Sequence, residues 1–153
     1  MIEVILEDDR WKSVGLAALC EPAGREAMAA TGRAESGFEI ALMGCDDARI
    51  AVLNKDFRGK EAATNVLSWP SSDTPPYVGS PQGTELGDIA IAYETCLREA
   101  AEKGISVQDH VTHLLIHGIL HLLGYDHISD REAEEMEALE IKALAKLGIS
   151  NPY

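Results

Sequence analysis

The segment HGILHLLGYDH, residues 117–127, spaces His117, His121 and His127 as HxxxHxxGxxH. His117 and His121 are four residues apart, so on a helix both imidazoles project from one face, one turn apart, and can reach a single ion. Gly124 lets the chain leave that helix through a positive φ that a Cβ resists, and His127 can then return as a third ligand. Three protein nitrogens leave the fourth position of a tetrahedral zinc open to water or substrate, whereas a structural zinc closes its shell with four protein ligands, often cysteines. The expected centre is therefore catalytic, with one Zn2+ per chain on His117, His121 and His127. Two further histidines lie on the same helix. Stepping ~100° per residue, His110, His113, His117 and His121 fall within an arc of about 80°, away from an apolar arc of Val111, Leu115, Ile116, Ile119, Leu120, Leu122 and Leu123. This pattern predicts a helix buried on half its circumference. His113 is two turns from His121, ~12 Å along the axis. It is expected to line the cleft or to support a ligand from behind.

Metzincin metalloproteases share this spacing but carry a glutamate directly after the first histidine as general base. Gly118 stands there instead. Without that carboxylate a peptide-hydrolysing zinc enzyme lacks its proton acceptor, unless another residue substitutes. The missing negative charge also leaves room for a phosphate. A metzincin-like peptide hydrolase is thus the weaker alternative.

HGILHLLGYDH resembles the signature of the bacterial YbeY family, and LNKDFRGKEAATNVLSWP at 53–70 resembles that family's other hallmark. LGDIAI at 86–91 and the acidic REAEEMEALE at 131–140 also fit, so the likeness covers roughly residues 38–153. Phe57 stands where tyrosine is common, Asn65 where aspartate is common, and Trp69 where phenylalanine is common. None of these is a candidate ligand, but a role of that aspartate's charge in relatives is not carried onto Asn65. The resemblance implies a zinc-dependent, single-strand-specific endoribonuclease acting in rRNA maturation, at the 16S rRNA 3′ end, and in ribosome quality control. Its implied partners are rRNA or the small ribosomal subunit, with ribosomal proteins or an assembly GTPase as escorts; no membrane and no DNA are expected. A second alternative is a non-catalytic ribosome assembly factor whose zinc only staples the C-terminal third.

The resemblance also implies that Arg58 lies near the metal. There its planar, permanently charged fork can grip a phosphate and stabilise charge growing on it. Lys55 and Lys60 beside it are the further candidates for substrate binding. Asp126, next to the third ligand, is a candidate catalytic residue that can orient an imidazole, act as a base, or simply shape the turn. Tyr125, Asp88 and Ser68 are weaker candidates.

The elements that must hold these residues alternate along the chain. IEVIL at 2–6, FEIALMG at 38–44, NVLSW ending at Pro70, and GDIAIA at 87–92 predict four strands. Helical spacing runs from Trp11 to about Ala30, with Pro22 and Gly24 expected to interrupt it. Asp46 is an N-cap for a helix ending near Gly59, and another helix covers Tyr93 to Lys103. Ser106 with Asp109 caps the histidine helix, and Ser129 with Glu132 caps the last one. About four strands and about five helices in this order predict an α+β or layered α/β fold, with the metal-binding helix central and a zincin-like site. The Pro/Gly/Ser-rich stretch at 70–86 is a loop expected to flank the cleft.

With 153 residues and 46% apolar content the chain fits one domain, residues 1–153, with one core. No run approaches the ~20 apolar residues of a membrane span, and MIEVILEDDR does not resemble a secretory leader, so a cytoplasmic protein is expected. Cys20, Cys45 and Cys96 lack CxxC spacing and are expected to be packed thiols. The net charge of −13 runs against RNA binding through a basic surface. Much of the acidity is concentrated in Asp130, Glu132, Glu134, Glu135, Glu137 and Glu140, expected on a solvated outer helix face. Lys55, Arg58 and Lys60 would then form a local positive mouth on an acidic body.

Overall fold

The computed structural model describes residues 2–33, 37–72 and 83–153. Its sheet has four strands, β1 (Ile2–Leu6), β2 (Glu39–Cys45), β3 (Val66–Pro70) and β4 (Glu85–Ala92), in the order β1-β2-β4-β3. The first three of that order are parallel, and β3 closes the edge antiparallel to β4. Parallel neighbours need crossovers, which helices supply here. Between β1 and β2 run α1 (Trp11–Val14) and α2 (Leu16–Ala30), and α3 (Asp47–Arg58) follows β2. The chain continues through α4 (Tyr93–Lys103), α5 (Val107–Leu122) and α6 (Asp130–Lys146). The layered α/β architecture is the expected one, with α1 as the additional short helix. Most of the loop expected at 70–86 lies outside the described residues, which omit 73–82.

Alternation along the strands sorts the core into two layers. Ile40, Leu42, Ile89 and Ile91 face α2 and α5, while Ala90, Ala92 and Leu67 face Ile50 of α3 on the other side. Ile116, Ile119 and Leu120 of α5 are almost wholly buried, and each such side chain contributes about 1.5–3 kcal/mol of burial free energy. No helix among the described residues is long and apolar enough to cross a membrane.

Three expectations need correction. The helix over 11–30 is interrupted at Gly15 (φ 78°), not at Pro22 or Gly24, both of which lie inside a continuous α2. Gly24 is instead a point of close approach, since a Cβ there would stand 3.0 Å from the Ile2 side chain. Helix α5 is buried nearly all round, because α4 and α6 cover the histidine face that the sequence left to solvent. Lastly, α6 is not acidic on its outer face alone: Glu140 is 1% exposed. The three cysteines are free and buried, as expected, and burial raises the thiols of Cys20 and Cys45 to about 12.

Candidate metal centre

Local sequence sets both ends of the histidine helix. The Ser106 hydroxyl accepts a hydrogen bond from the Asp109 amide at 3.1 Å and starts α5. At the other end the Tyr125 amide donates to the Leu120 carbonyl and the Gly124 amide to that of His121, while Gly124 takes φ 101°. This is a Schellman ending, in which a left-handed residue turns the chain sharply off the helix. Asp126 then accepts from the His127 amide at 2.8 Å, which fixes the return of the third histidine.

The result is a cluster in which ligand nitrogens of His117, His121 and His127 all lie within 4.8 Å of one another. Nε2 of His117 and Nε2 of His121 are 3.0 Å apart. Three neutral imidazoles on that spacing match the donor set of a zinc-like divalent ion, so the residues present fit a metal. Burial foremost, and then the neighbouring His117, lowers the pKa of His121 and favours the neutral ring that a metal requires. Asp126 Oδ1 sits between two rings, 4.0 Å from His121 Nδ1 and 3.8 Å from His127 Nδ1.

Behind the triad lies a residue that sequence reasoning placed on the surface. Glu140 accepts hydrogen bonds from His113 Nε2 at 2.6 Å, from His117 Nδ1 at 3.3 Å, and from the Tyr153 hydroxyl at 3.1 Å. Burial pushes this carboxyl upward, but the hydrogen bonds from His113 and His117 outweigh it and hold the group at about 2. A permanent carboxylate on Nδ1 fixes His117 in the tautomer whose Nε2 lone pair faces the cluster. His113 therefore supports the centre from behind and does not line the cleft. A signal for Glu140 was present in the sequence: the buried positions of α6 are Met136, Glu140, Ala143 and Leu144, a helical stripe with one carboxylate in it.

The triad opens into a cleft of about 1130 Å³ that straddles the free edge of β3. Arg58, Asp126, His117, His121 and His127 all line it, as do Tyr125 and Ser68. Arg58 is exposed in the last turn of α3 and makes no ion pair among the described residues. Lys55 and Lys60 are not among the lining residues, and the Lys55 ammonium is 3.5 Å from Glu61. Asp88 also stays outside. Gly118 does not leave open space for phosphate, because a Cβ there would meet Ile89 at 3.3 Å and Val66 at 3.6 Å. It is the contact at which α5 presses against the sheet.

A sequence model of the family described as Endoribonuclease YbeY matches residues 9–148. The chain belongs to the YbeY endoribonuclease family. Membership carries the activity class, endoribonuclease and hence hydrolase. Relatives named Endoribonuclease YbeY include that of Cereibacter sphaeroides, 51% identical over 100% of this chain and 98% of its own length. That of Paracoccus denitrificans is 52% identical over 99% of this chain and 89% of its own length. The solution structure of TM1509 from Thermotoga maritima covers 97% of this chain and 92% of its own, with a TM-score of 0.61 at 23% identity, a likeness of fold.

Proposed function

We propose that this cleft hydrolyses phosphodiester bonds of single-stranded RNA with a zinc-like ion on His117, His121 and His127, in the cytoplasmic maturation of rRNA. The observation that carries the proposal is the convergence of the histidine triad and an exposed Arg58 on one cleft. The ion, when bound, supplies Lewis acidity toward a phosphate oxygen and acidifies water. Arg58 holds the phosphate and stabilises the charge that grows on it. Asp126 is the sole Asp or Glu among the described lining residues. It is the proposed acceptor for the proton released as water attacks phosphorus, and the proposed source of the proton that the departing ribose oxygen takes up as its P–O bond breaks. Glu140 keeps His117 oriented from behind.

An acidic body disfavours unaided capture of RNA, so delivery on the small ribosomal subunit, through ribosomal proteins or an assembly GTPase, belongs to the same proposal. Family membership and Gly118 both weigh against the peptide hydrolase. A pure zinc staple would have no use for an arginine that shares the cleft of the triad. Metal analysis of the purified protein, with RNA cleavage measured before chelation, after it and after zinc is restored, tests the proposal. One equivalent of metal and reversible loss of cleavage are expected. Full cleavage by the chelated protein would overturn it.

A further inference from the structure

The cleft has a second wall that hydrolysis does not require. Phe57 is 63% exposed, unusual for a large aromatic ring, and its centroid lies 5.1 Å from that of Trp69 with the planes at 60°. Both rings line the cleft next to Arg58. Because α3 and α5 lie on opposite faces of the sheet, Phe57 and Arg58 confront the histidines across the free edge of β3.

The backbone of that edge can be assigned. The Ala92 amide donates to the Asn65 carbonyl and the Ser71 amide to the Leu86 carbonyl, both at 2.9 Å. In an antiparallel ladder alternate residues share a direction, so Asn65, Leu67, Trp69 and Ser71 turn their polar groups to β4. Val66, Ser68 and Pro70 turn theirs to the free edge, with which no strand pairs among the described residues. Asn65 Oδ1 takes the Val66 amide at 2.7 Å, and Pro70 has none. Ser68 is left presenting both a donor and an acceptor to the cleft.

We propose that this wall is a nucleobase subsite: one unpaired RNA base stacks on Phe57 and hydrogen-bonds the Ser68 backbone, while its adjoining phosphate reaches Arg58. The inference rests on the proposed RNA hydrolysis and deepens it. Every base has a π face, and its Watson–Crick edge carries adjacent polar groups that are free only when it is unpaired. A duplex base has its faces stacked and its edge occupied, so the same wall supplies selectivity for single strands.

The test uses the full metal-loaded chain and a short single-stranded RNA in which an abasic residue is walked one position at a time. In the wild type, an abasic residue at one fixed place relative to the cut should raise KM by about tenfold, the scale of one lost base–aromatic stack. Phe57→Ala should raise KM similarly on the parent RNA, show no further loss on that abasic RNA, and keep its metal. Phe57→Tyr should restore wild-type KM. RNA should also perturb the fluorescence of Trp69, whereas Trp11 is fully buried. Additive losses in Phe57→Ala, or equal affinity for parent and abasic RNA, would overturn the proposal and leave the β3 edge open to a peptide strand instead. If the wild type cuts no RNA, the hydrolase proposal fails, and the fluorescence titration of parent against abasic RNA still decides the subsite.

Discussion

The two walls of the cleft are built on opposite plans. On the α5 side, His117 is tied to Glu140, Glu140 to His113 and Tyr153, and the whole arrangement sits behind a helix with buried neighbours. On the α3 side, Arg58 and Phe57 stand exposed at a helix end. A metal centre must be oriented before its ion arrives, so its supports are buried and hydrogen-bonded to one another. A surface that receives a long polymer must stay open. Damage to the first wall should therefore cost metal, and damage to the second should cost substrate handling with metal retained.

The sharpest break in that contrast comes from the ligands. His117→Ala and His121→Ala should each abolish cleavage, lose the metal, and lower the melting temperature, because metal binding contributes folding free energy. Zinc analysis and a thermal melt check this; an unchanged melt with one bound zinc would falsify the triad. Next in size is Arg58→Ala, expected to keep zinc and fold but cut cleavage by ~10²-fold, the scale of losing one oriented charge-stabilising donor. Arg58→Lys should recover only part, since lysine keeps the charge and loses the fork. If Arg58→Ala sheds its zinc, the two walls are not independent.

Glu140→Gln probes the hidden support. It should weaken metal affinity by about 10–100-fold in chelator competition, although the residue itself does not line the cleft. Unchanged affinity would mean that the α5 wall holds its ligands by packing alone. The smallest effect lies farther along α5. Burial lowers the pKa of His110 below its ordinary 6.5 against the opposing pull of Glu99. Between the two values the unfolded chain holds the proton and the folded one does not, so this contribution is complete above about 6.5 and is lost as pH falls. In metal-loaded protein the melting temperature should decline on acidification through that window, and His110→Gln should flatten the slope. An identical slope in the variant would remove His110 as its source.

What the sequence disclosed followed its periodicities. HxxxHxxGxxH held both the helix face and the glycine exit, and the caps at Asp46, Ser106 and Ser129 were visible because capping is local chemistry. Strand order was not visible, since the two parallel pairings among β1, β2 and β4 depend on crossovers rather than neighbours. Glu140 was hidden for a different reason. Its charge resembled that of Glu134 and Glu135 and masked its place on the apolar stripe of Met136, Ala143 and Leu144, which the packing of α6 on α5 buries. Gly118 was misjudged for the same cause: a missing side chain looks like room until the sheet is placed against it.

The cleft also fixes how the protein should respond to ionic strength. Arg58 is the only Lys or Arg among the described residues that line it, on a chain of net charge −13. Displacement of condensed counterions gives a slope of about −0.7 per phosphate contact on a single strand. A single contact then forfeits less than a decade of affinity over a tenfold rise in salt, while the same salt screens repulsion between RNA and the acidic body beyond ~10 Å. The two effects oppose each other. RNA engagement should stay nearly level across ionic conditions under which a protein with a broad basic face would release its ligand.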